Sequence, residues 1–399
     1  MQLTPKEQAL LAGESGPAAQ KAMQILATLG RIFGAQRMIP VRSVQIAGVS
    51  YDNLGEAGLA WLSEMAAGGG QVQVFTTLNP AGMDIENYQS LGISEDFAEN
   101  QRRVLAAFEA MGVVSTCSCT PYLFGNLPHF GEHIAWAESS AVCYANAVLG
   151  ARTNREGGPS ALAAALTGCT PAYGYHLAEN RQPTLHIELT ANLHDTPDFG
   201  ALGKTIGDQL QSVTGNKVPY ITGMSDASLE NLKSLCASLA TFGGVALFHI
   251  QGITPEAAQY SPPFETFAIN QADLDSAKAE LTSAEPGQID FFSLGCPHLS
   301  LGEIQRIAHA LAGKHVTKEF WITTSRPIKG MADRMGYTAV IEAAGAKFAT
   351  DTCCVVAPIK GRFKALATDS AKACYYATAK NHFKTRLLSF DDLIAEATR

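Results

Sequence analysis

The sequence lacks the features that mark several common classes of protein. Only 17% of its 399 residues are charged, and no run of Lys and Arg forms the basic surface that nucleic-acid phosphates require. Its apolar stretches, such as GGVALFHI, are much shorter than the roughly 20 residues that cross a bilayer. The polar start MQLTPKEQALLAGESG does not resemble a secretory signal. We therefore expect a cytoplasmic protein with neither nucleic-acid nor membrane partners.

Nine cysteines occur in this chain without an export signal, so a disulfide framework is not expected. Four of them lie inside helical apolar patterns, where a cysteine behaves as a small buried hydrophobic residue. These four are Cys143, Cys169, Cys236 and Cys374. The question is which of the remaining cysteines converge in the fold.

Helical and strand-like segments alternate along most of the chain, and 46% of its residues are hydrophobic. This composition and rhythm predict a multi-lobed α/β protein whose parallel or mixed sheets are flanked by helices. The segment SPPFETFAI is a candidate crossing between lobes, because its two prolines remove backbone donors. We divide the chain provisionally into lobes 1–116, 117–265 and 266–399.

The five remaining cysteines follow apolar runs. Cys117 and Cys119 stand in VVSTCSCTPY, Cys296 follows IDFFSLG, and Cys353 with Cys354 ends AKFATDTCC. Open α/β sheets place ligands at the carboxyl ends of their strands, and thiolates favour iron–sulfur clusters. A shared metal site is one interpretation, and buried hydrophobic cysteines are the other, because no short spacing pattern decides between them.

The segment ARTNREGGPS predicts a binding site for an anionic substrate. Paired glycines before a helix start expose backbone donors at the positive end of the helix dipole, and arginines add charge-assisted hydrogen bonds. The candidate residues are Arg152, Asn154, Arg155, Gly157, Gly158 and Ser160. The alternative is an ordinary helix start whose arginines pair with surface carboxylates.

A third group of polar residues follows the first cysteine site, in GNLPHFGEHIAWAESSAV. General acid and base catalysis needs such side chains near the reacting carbon, and we take Glu132, His133 and Ser139 as candidates. The alternative is a set of surface and capping groups. The motif GEHIA lacks the second histidine of HExxH, which excludes that type of zinc peptidase site.

Two shorter segments are further candidates for binding polar substrate groups. TTLNPAGMD contributes Thr77 and Asn79, and TTSRPIKG contributes Ser325 and Arg326. Both segments also fit ordinary turn chemistry.

Across nearly its whole length the chain resembles the aconitase X family. The resemblance rests on GVSYDNLGEAGL, TTLNPAGMD, CSCTPY, GEHIAWAESSAV, NAVLGARTNREGGPSALAAALTG, LGCPHLS, TTSRPIKGMADRMGY and DTCCVVAP. It implies the catalytic large part of a hydro-lyase with an aconitase-like core that lacks the swivelling domain.

The resemblance also implies an iron–sulfur cluster held by three cysteines, which map to Cys119, Cys296 and Cys353. Cys117 and Cys354 are the alternatives to their neighbours. We expect a [4Fe–4S] or [3Fe–4S] cluster, with [2Fe–2S] as the alternative. One iron that is not fully ligated would polarise the leaving hydroxyl while a base removes a proton from the adjacent carbon.

Family members occur in fused and two-subunit forms. The resemblance therefore implies a heterodimer or larger assembly in which a small swivel-domain subunit supplies a serine base. NREGGPS and GCPH resemble the branch that dehydrates 5-phosphomevalonate more than the fused branch that dehydrates cis-3-hydroxy-L-proline. Gln45, Ala47 and the segment TDSAKACYYAT depart from the family pattern, which leaves the substrate contacts there undefined.

Two interpretations of other classes remain open at this point. A non-catalytic iron–sulfur protein for electron transfer or sensing would be supported by four cysteine ligands and a sheltered cluster. A metal-free binding module for small acids would contain no iron after anaerobic preparation.

Overall fold

The structure is a computed structural model that describes residues 1–399, apart from the side chain of Ser212. Its N-terminal part contains helices α1 Pro5–Ala12, α2 Pro17–Ile32, α3 Tyr51–Ala67, α4 Glu95–Ala110, α5 Ser139–Ala147 and α6 Gly158–Thr167, and strands β1 Met38–Pro40, β2 Ser43–Ile46, β3 Phe75–Leu78, β4 Ala135–Trp136 and β5 Cys169–Pro171. β2 pairs in parallel with β3 on one side and β4 on the other, while β1 and β5 form an antiparallel pair.

The middle part is a second parallel sheet with its own helices. Its elements are β6 Leu185–Leu189, α7 Thr196–Gln209, β7 Pro219–Thr222, α8 Leu229–Phe242, β8 His249–Ile250, β9 Thr266–Ile269 and α9 Gln271–Glu280. The strand order is β8-β7-β6-β9, and α7 packs along α8. Helix α5 of the N-terminal part also packs against α8, which joins the two parts.

The C-terminal part is a five-stranded parallel sheet of order β12-β11-β10-β13-β14. Its elements are β10 Phe291–Leu294, α10 Leu301–Leu311, β11 Glu319–Thr324, α11 Arg326–Arg334, α12 Tyr337–Ala343, β12 Lys347–Thr350, β13 Ala365–Thr368, α13 Ala371–Ala379, β14 Lys384–Leu387 and α14 Phe390–Ala397. Helix α13 packs against α7 and α8 of the middle part.

The central strands explain why the sheets are parallel and enclosed. Every residue of β2, β10 and β13 is buried, which requires cover on both faces of each sheet. Side-chain caps define the starts of several helices; Ser300 and Glu303, for example, form a reciprocal capping box at α10. The predicted fold class, parallel α/β sheets flanked by helices, is confirmed.

Two segments differ in detail from the sequence interpretation. SAKACYYATA, which the sequence suggests is a strand, is mostly helix α13, because Ser370 caps its start by accepting from the Ala373 N–H. The segment SPPFETFAI contains β9, which pairs with β6 in the middle sheet. The lobes 1–116, 117–265 and 266–399 stay a prediction.

Within the part of the chain that the structure describes, no helix has both the length and the apolar content needed to span a bilayer. The cytoplasmic location stays a prediction.

Candidate functional site

The carboxyl ends of strands from the N-terminal and C-terminal sheets open on one cavity of about 250 Å³. Asn79 follows β3, Glu138 follows β4, Cys296 follows β10, Cys353 follows β12 and Lys372 follows β13. The cavity therefore lies where parallel sheets usually bind their ligands. Its other lining residues are Ala47, Asn53, Pro80, Cys119, Ala137, Ser139, Arg155, Gly295, Pro297, Val355, Val356, Tyr376 and Lys380.

Three of the five candidate cysteines line this cavity, and they come from three separate loops: Cys119, Cys296 and Cys353. Their neighbours lie elsewhere. Cys117 packs in the apolar core of the N-terminal part, and Cys354 packs in a cluster beneath the C-terminal sheet. Each adjacent pair of candidates thus contributes one thiol to the cavity.

The backbone before Cys296 requires glycine. Gly295 has φ 107°, and a Cβ at this position would lie 2.3 Å from the Thr323 carbonyl oxygen. The peptide bond between Cys296 and Pro297 is cis. The backbone conformation of Gly295 thus sets the turn just before Cys296, which lines the cavity.

Burial raises the pKa of each cavity thiol. The pKa of Cys296 rises to about 12, although the nearby Lys372 charge opposes the effect of burial. The pKa of Cys119 and that of Cys353 are raised by the same loss of solvent. Because a thiolate would be costly here, ionised sulfurs at this place require a compensating cation such as a bound metal.

Glu138 and Lys372 form a buried ion pair beside the thiols. The Lys372 Nζ atom lies 2.7 Å from Glu138 Oε1 and 2.8 Å from Ser140 Oγ. Burial alone would raise the pKa of Glu138, but the charge and hydrogen bonds of Lys372 outweigh it and the pKa is lowered. Burial alone would lower the pKa of Lys372, but Glu138 and the nearby sulfurs raise it. The pair is therefore a carboxylate and an ammonium.

Polar and cationic side chains lie around the rest of the cavity. Arg155 is exposed, while Lys380 donates to Asp52 at 2.8 Å and to the Val355 carbonyl at 3.1 Å. Asn79 is half-buried, and its Oδ1 atom is enclosed without a hydrogen-bond partner. Ser139 opens helix α5 and donates to Glu138 at 3.3 Å. The cavity thus offers cationic side chains to a polar ligand.

Arg326 lies outside the cavity in a cluster of carboxylates. Its guanidinium donates to Asp84 at 2.9 Å, to Asp351 at 2.5 Å and to Glu86 at 2.8 Å. The neighbouring Ser325 caps helix α11 by accepting from the Ile328 N–H. The predicted role of Arg326 and Ser325 in substrate binding stays a prediction.

The predicted acid–base residues Glu132 and His133 also lie outside the cavity. Glu132 accepts from the His129 N–H at 2.9 Å, and the His133 Nδ1 atom lies 3.0 Å from His176 Nδ1. Arg152 donates to the His176 carbonyl at 3.3 Å. Catalytic roles for Glu132 and His133, and substrate binding by Arg152, stay predictions.

The remaining predicted residues make contacts within the fold. Asn154 accepts from the Tyr175 N–H at 2.9 Å, and the Asn126 amide donates to Thr77 Oγ1 at 2.9 Å. Ser160 accepts from the Gly157 N–H at 3.0 Å at the start of α6. A Cβ on Gly158 would lie 2.7 Å from the carbonyl oxygen of Ala47. Substrate contacts by Thr77, Asn154, Gly157, Gly158 and Ser160 stay predictions.

Sequence reasoning included Glu138 in the third polar group but did not choose it as a candidate, and it gave no role to Lys372, the other member of the charged pair. A signal was present for both: each is a single charge within a run of small and apolar residues, in AWAESSAV and SAKACYYA. Charged side chains are seldom buried without a partner of opposite sign, so two such residues suggest a pair.

Gln45 and Ala47, two departures from the family pattern, lie close to the cysteine loops or the cavity. Gln45 donates to the Ser118 carbonyl at 3.0 Å, and Ala47 lines the cavity.

Comparison with protein families divides the chain into three matched regions. The description "Aconitase X first domain" matches residues 1–179, "Aconitase X second domain" matches residues 183–279, and "Aconitase X third domain" matches residues 289–399.

Curated relatives align over nearly the whole chain. The phosphomevalonate dehydratase large subunit of Methanothermobacter thermautotrophicus is 48% identical over 93% of this chain and 92% of its own length. That of Thermococcus kodakarensis is 44% identical, and the alignment covers 100% of both chains. The cis-3-hydroxy-L-proline dehydratase of Pseudomonas aeruginosa is 35% identical over 93% of this chain but 65% of its own length.

A solved structure agrees with these sequence matches. The holo-form of aconitase X from Thermococcus kodakaraensis superposes with a TM-score of 0.93 at 44% identity, and the match covers 100% of each chain. The chain belongs to the aconitase X family.

Proposed function

We propose that this chain is the large subunit of an iron–sulfur hydro-lyase that converts 5-phosphomevalonate to anhydromevalonate phosphate. The observation that carries the proposal is the single cavity that three thiols from separate loops share with a buried ammonium–carboxylate pair. The relatives named phosphomevalonate dehydratase large subunit support this substrate, because they align over nearly their full length.

The residues of the cavity fit an iron–sulfur cluster held by Cys119, Cys296 and Cys353. Thiolates are the usual ligands of such clusters. The irons of a bound cluster would compensate the negative charge of the three thiolates, which burial otherwise makes unfavourable. Among the described residues, no three His, Cys, Asp or Glu side chains are placed to hold one metal ion in common. A cluster does not require that arrangement, because its cysteines bind different irons.

When bound, the cluster would supply a Lewis-acidic iron for the leaving hydroxyl. Lys372 would bind an anionic group of the substrate, because its raised pKa keeps it an ammonium that holds anions rather than releases protons. Two of its three N–H donors already have partners in Glu138 and Ser140. The third donor is available to a ligand in the cavity.

The substrate phosphate would bind to Arg155 and Lys380, which both line the cavity. Arg155 can donate two parallel hydrogen bonds to a phosphate, and Lys380 adds a second positive charge. Asn79 and Ser139 would contact the polar groups between the phosphate and the reacting carbon.

The proton acceptor would come from a small partner subunit, in line with the predicted serine base. Among the described residues that line the cavity, Glu138 is the one carboxylate, and its lowered pKa makes it a weak base. The phrase "large subunit" in the names of the relatives supports a small partner for this chain as well.

The test is anaerobic co-expression with the proposed small subunit, followed by cluster reconstitution and incubation with each of two substrates. Proton NMR would follow the loss of each substrate's signals and, for 5-phosphomevalonate, the new vinylic proton. We expect water loss from 5-phosphomevalonate and none from cis-3-hydroxy-L-proline. Turnover of the proline alone would replace the substrate assignment, and turnover of neither by protein that contains its cluster would favour a non-catalytic iron–sulfur protein.

A further inference from the structure

The three cavity cysteines belong to loops that are far apart in the sequence, and one side chain connects these loops. His298 follows Cys296 by two residues, and its side chain is fully buried, with 0% of its surface exposed. Its backbone N–H donates to the Cys119 sulfur at 3.2 Å. One residue of the Cys296 loop thus touches a thiol of another loop directly.

The imidazole ring makes two more connections. Its Nδ1 atom lies 3.0 Å from the hydroxyl of Ser118, the residue before Cys119. Its Nε2 atom lies 2.9 Å from the carbonyl oxygen of Thr352, the residue before Cys353. Each ring nitrogen therefore contacts the residue that immediately precedes a different cavity cysteine.

The directions of these hydrogen bonds follow from the chemistry of the partners. A carbonyl oxygen only accepts, so Nε2 carries the hydrogen and donates to Thr352, which leaves Nδ1 to accept from the Ser118 hydroxyl. The His298 carbonyl in turn accepts from Lys233 Nζ at 3.0 Å. Each polar group of His298 thus has its own partner. A neutral ring that keeps both contacts must carry its hydrogen on Nε2, because the Thr352 carbonyl cannot donate.

We propose that His298 is a positioning residue that holds the Cys119, Cys296 and Cys353 loops at the spacing an iron–sulfur cluster requires. This inference rests on the proposed function, because it assigns the three cysteines to the cluster. The residue acts through the loops and through its N–H bond to the Cys119 sulfur, and hydrogen bonds to cluster sulfurs also tune reduction potential.

The test compares three substitutions in the anaerobically reconstituted holoenzyme. His298→Gln keeps a donor near the Nε2 position, His298→Asn keeps an acceptor near the Nδ1 position, and His298→Ala keeps neither. The measurements are iron and sulfide per chain, the rate of iron release to a chelator, and the EPR spectrum. We expect His298→Ala to release iron about 10-fold faster or more, with Gln and Asn in between.

His249→Gln is the matched control. His249 is also fully buried and its Nε2 also bonds a backbone carbonyl, that of Arg181 at 2.9 Å, but it lies in the middle part of the chain. We expect this variant to keep the wild-type iron release rate and EPR spectrum. Should it release iron as fast as His298→Gln, or should every His298 variant match wild type, the proposal is overturned.

Ser118→Ala tests the proposal if His298→Ala does not fold. This substitution removes the hydroxyl that contacts His298 Nδ1 and leaves the histidine in place. Faster iron release at an unchanged Tm supports the proposal, and unchanged release overturns it. Wild-type protein that takes up a cluster without dehydrating 5-phosphomevalonate would contradict the proposed function alone. Wild-type protein that takes up no cluster would contradict both.

Discussion

Two buried ion pairs in this molecule have similar chemistry and different surroundings. Arg181 pairs with Glu256, and its guanidinium also donates to Asn146 and to the Tyr175 carbonyl, so the protein uses its donors completely. Lys372 pairs with Glu138 but keeps one donor beside a cavity. Burial and charge alone therefore do not indicate a site, whereas a buried charge with an unused donor beside a cavity does.

The same contrast applies to the cysteines. Cys119 and Cys353 line the cavity, whereas Cys117 and Cys354 are packed among apolar side chains. Cys117 and Cys119 share one sequence segment, and Cys353 and Cys354 share another. Substituting either member of a pair therefore compares a cysteine in the cavity with one outside it.

Replacing the cavity cysteines would be the most severe way to test this contrast. We expect Cys119→Ser, Cys296→Ser and Cys353→Ser to lose cluster iron and all measurable dehydration, because each removes a thiolate ligand. Cys117→Ala and Cys354→Ala should keep the cluster iron and the dehydration activity. Each should lose about 1 kcal/mol of stability, since each leaves a small void. Iron analysis, the NMR assay and thermal unfolding would check this, and iron loss in Cys354→Ala would reverse the ligand assignment.

The two ion pairs can be compared directly with double variants, which avoid leaving one charge buried alone. Glu138→Gln with Lys372→Met should lower kcat/KM by about 10- to 100-fold and leave Tm near that of wild type, because the substrate loses a charge-assisted contact worth about 1.5–3 kcal/mol. Arg181→Met with Glu256→Gln should lower Tm and leave kcat unchanged. Equal losses of activity in both double variants would remove the distinction between the pairs.

Two arginines extend the comparison to the substrate. Arg155→Ala should lower kcat/KM for 5-phosphomevalonate by about 10- to 100-fold at constant Tm, because one charge-assisted contact is worth about 1.5–3 kcal/mol. Arg326→Ala should instead destabilise the fold by about 1–3 kcal/mol, since Asp84 and Asp351 lose their partner. An activity loss confined to Arg326→Ala would move the phosphate site to that cluster.

The smallest expected effect concerns pH and lies away from the cavity. Burial lowers the pKa of His176 from 6.5 to about 3, with the charges of nearby groups acting in the same direction. The unfolded chain therefore binds a proton that the folded chain does not, and stability falls as the pH drops below about 6.5. Between pH 7 and pH 5 we expect His176→Gln to lose about 1–2 kcal/mol less stability than wild type, as measured by urea unfolding.

The cavity could be predicted in part because its residues follow apolar strands. Cys296 and Cys353 come after β10 and β12, so sequence reasoning about strand ends proposed a shared site for these cysteines. Asn79 comes after β3 and also lines the cavity, but it was a separate candidate. The choice between Cys353 and Cys354 could not be made that way. Both follow the same strand, and only packing shows that Cys354 lies in an apolar cluster.

The other charged residues could not be assigned from the sequence because their partners are far away along the chain. Arg155 and Arg326 look alike in the sequence, since both stand near helix starts, but Arg326 meets Asp84 from a segment 242 residues away. Lys372 and Glu138 are 234 residues apart, and nothing in either local segment identifies its partner. Such pairs depend on how distant strands are arranged, which local patterns do not specify.

An anomalous difference map recorded at the iron edge, from crystals of the anaerobically reconstituted protein, would show which sulfurs hold the cluster. We predict iron peaks in the cavity within bonding distance of the Cys119, Cys296 and Cys353 sulfurs, beside Lys372 and Glu138. Iron bound instead to Cys117 or Cys354, or to the histidines around His133, would contradict this prediction.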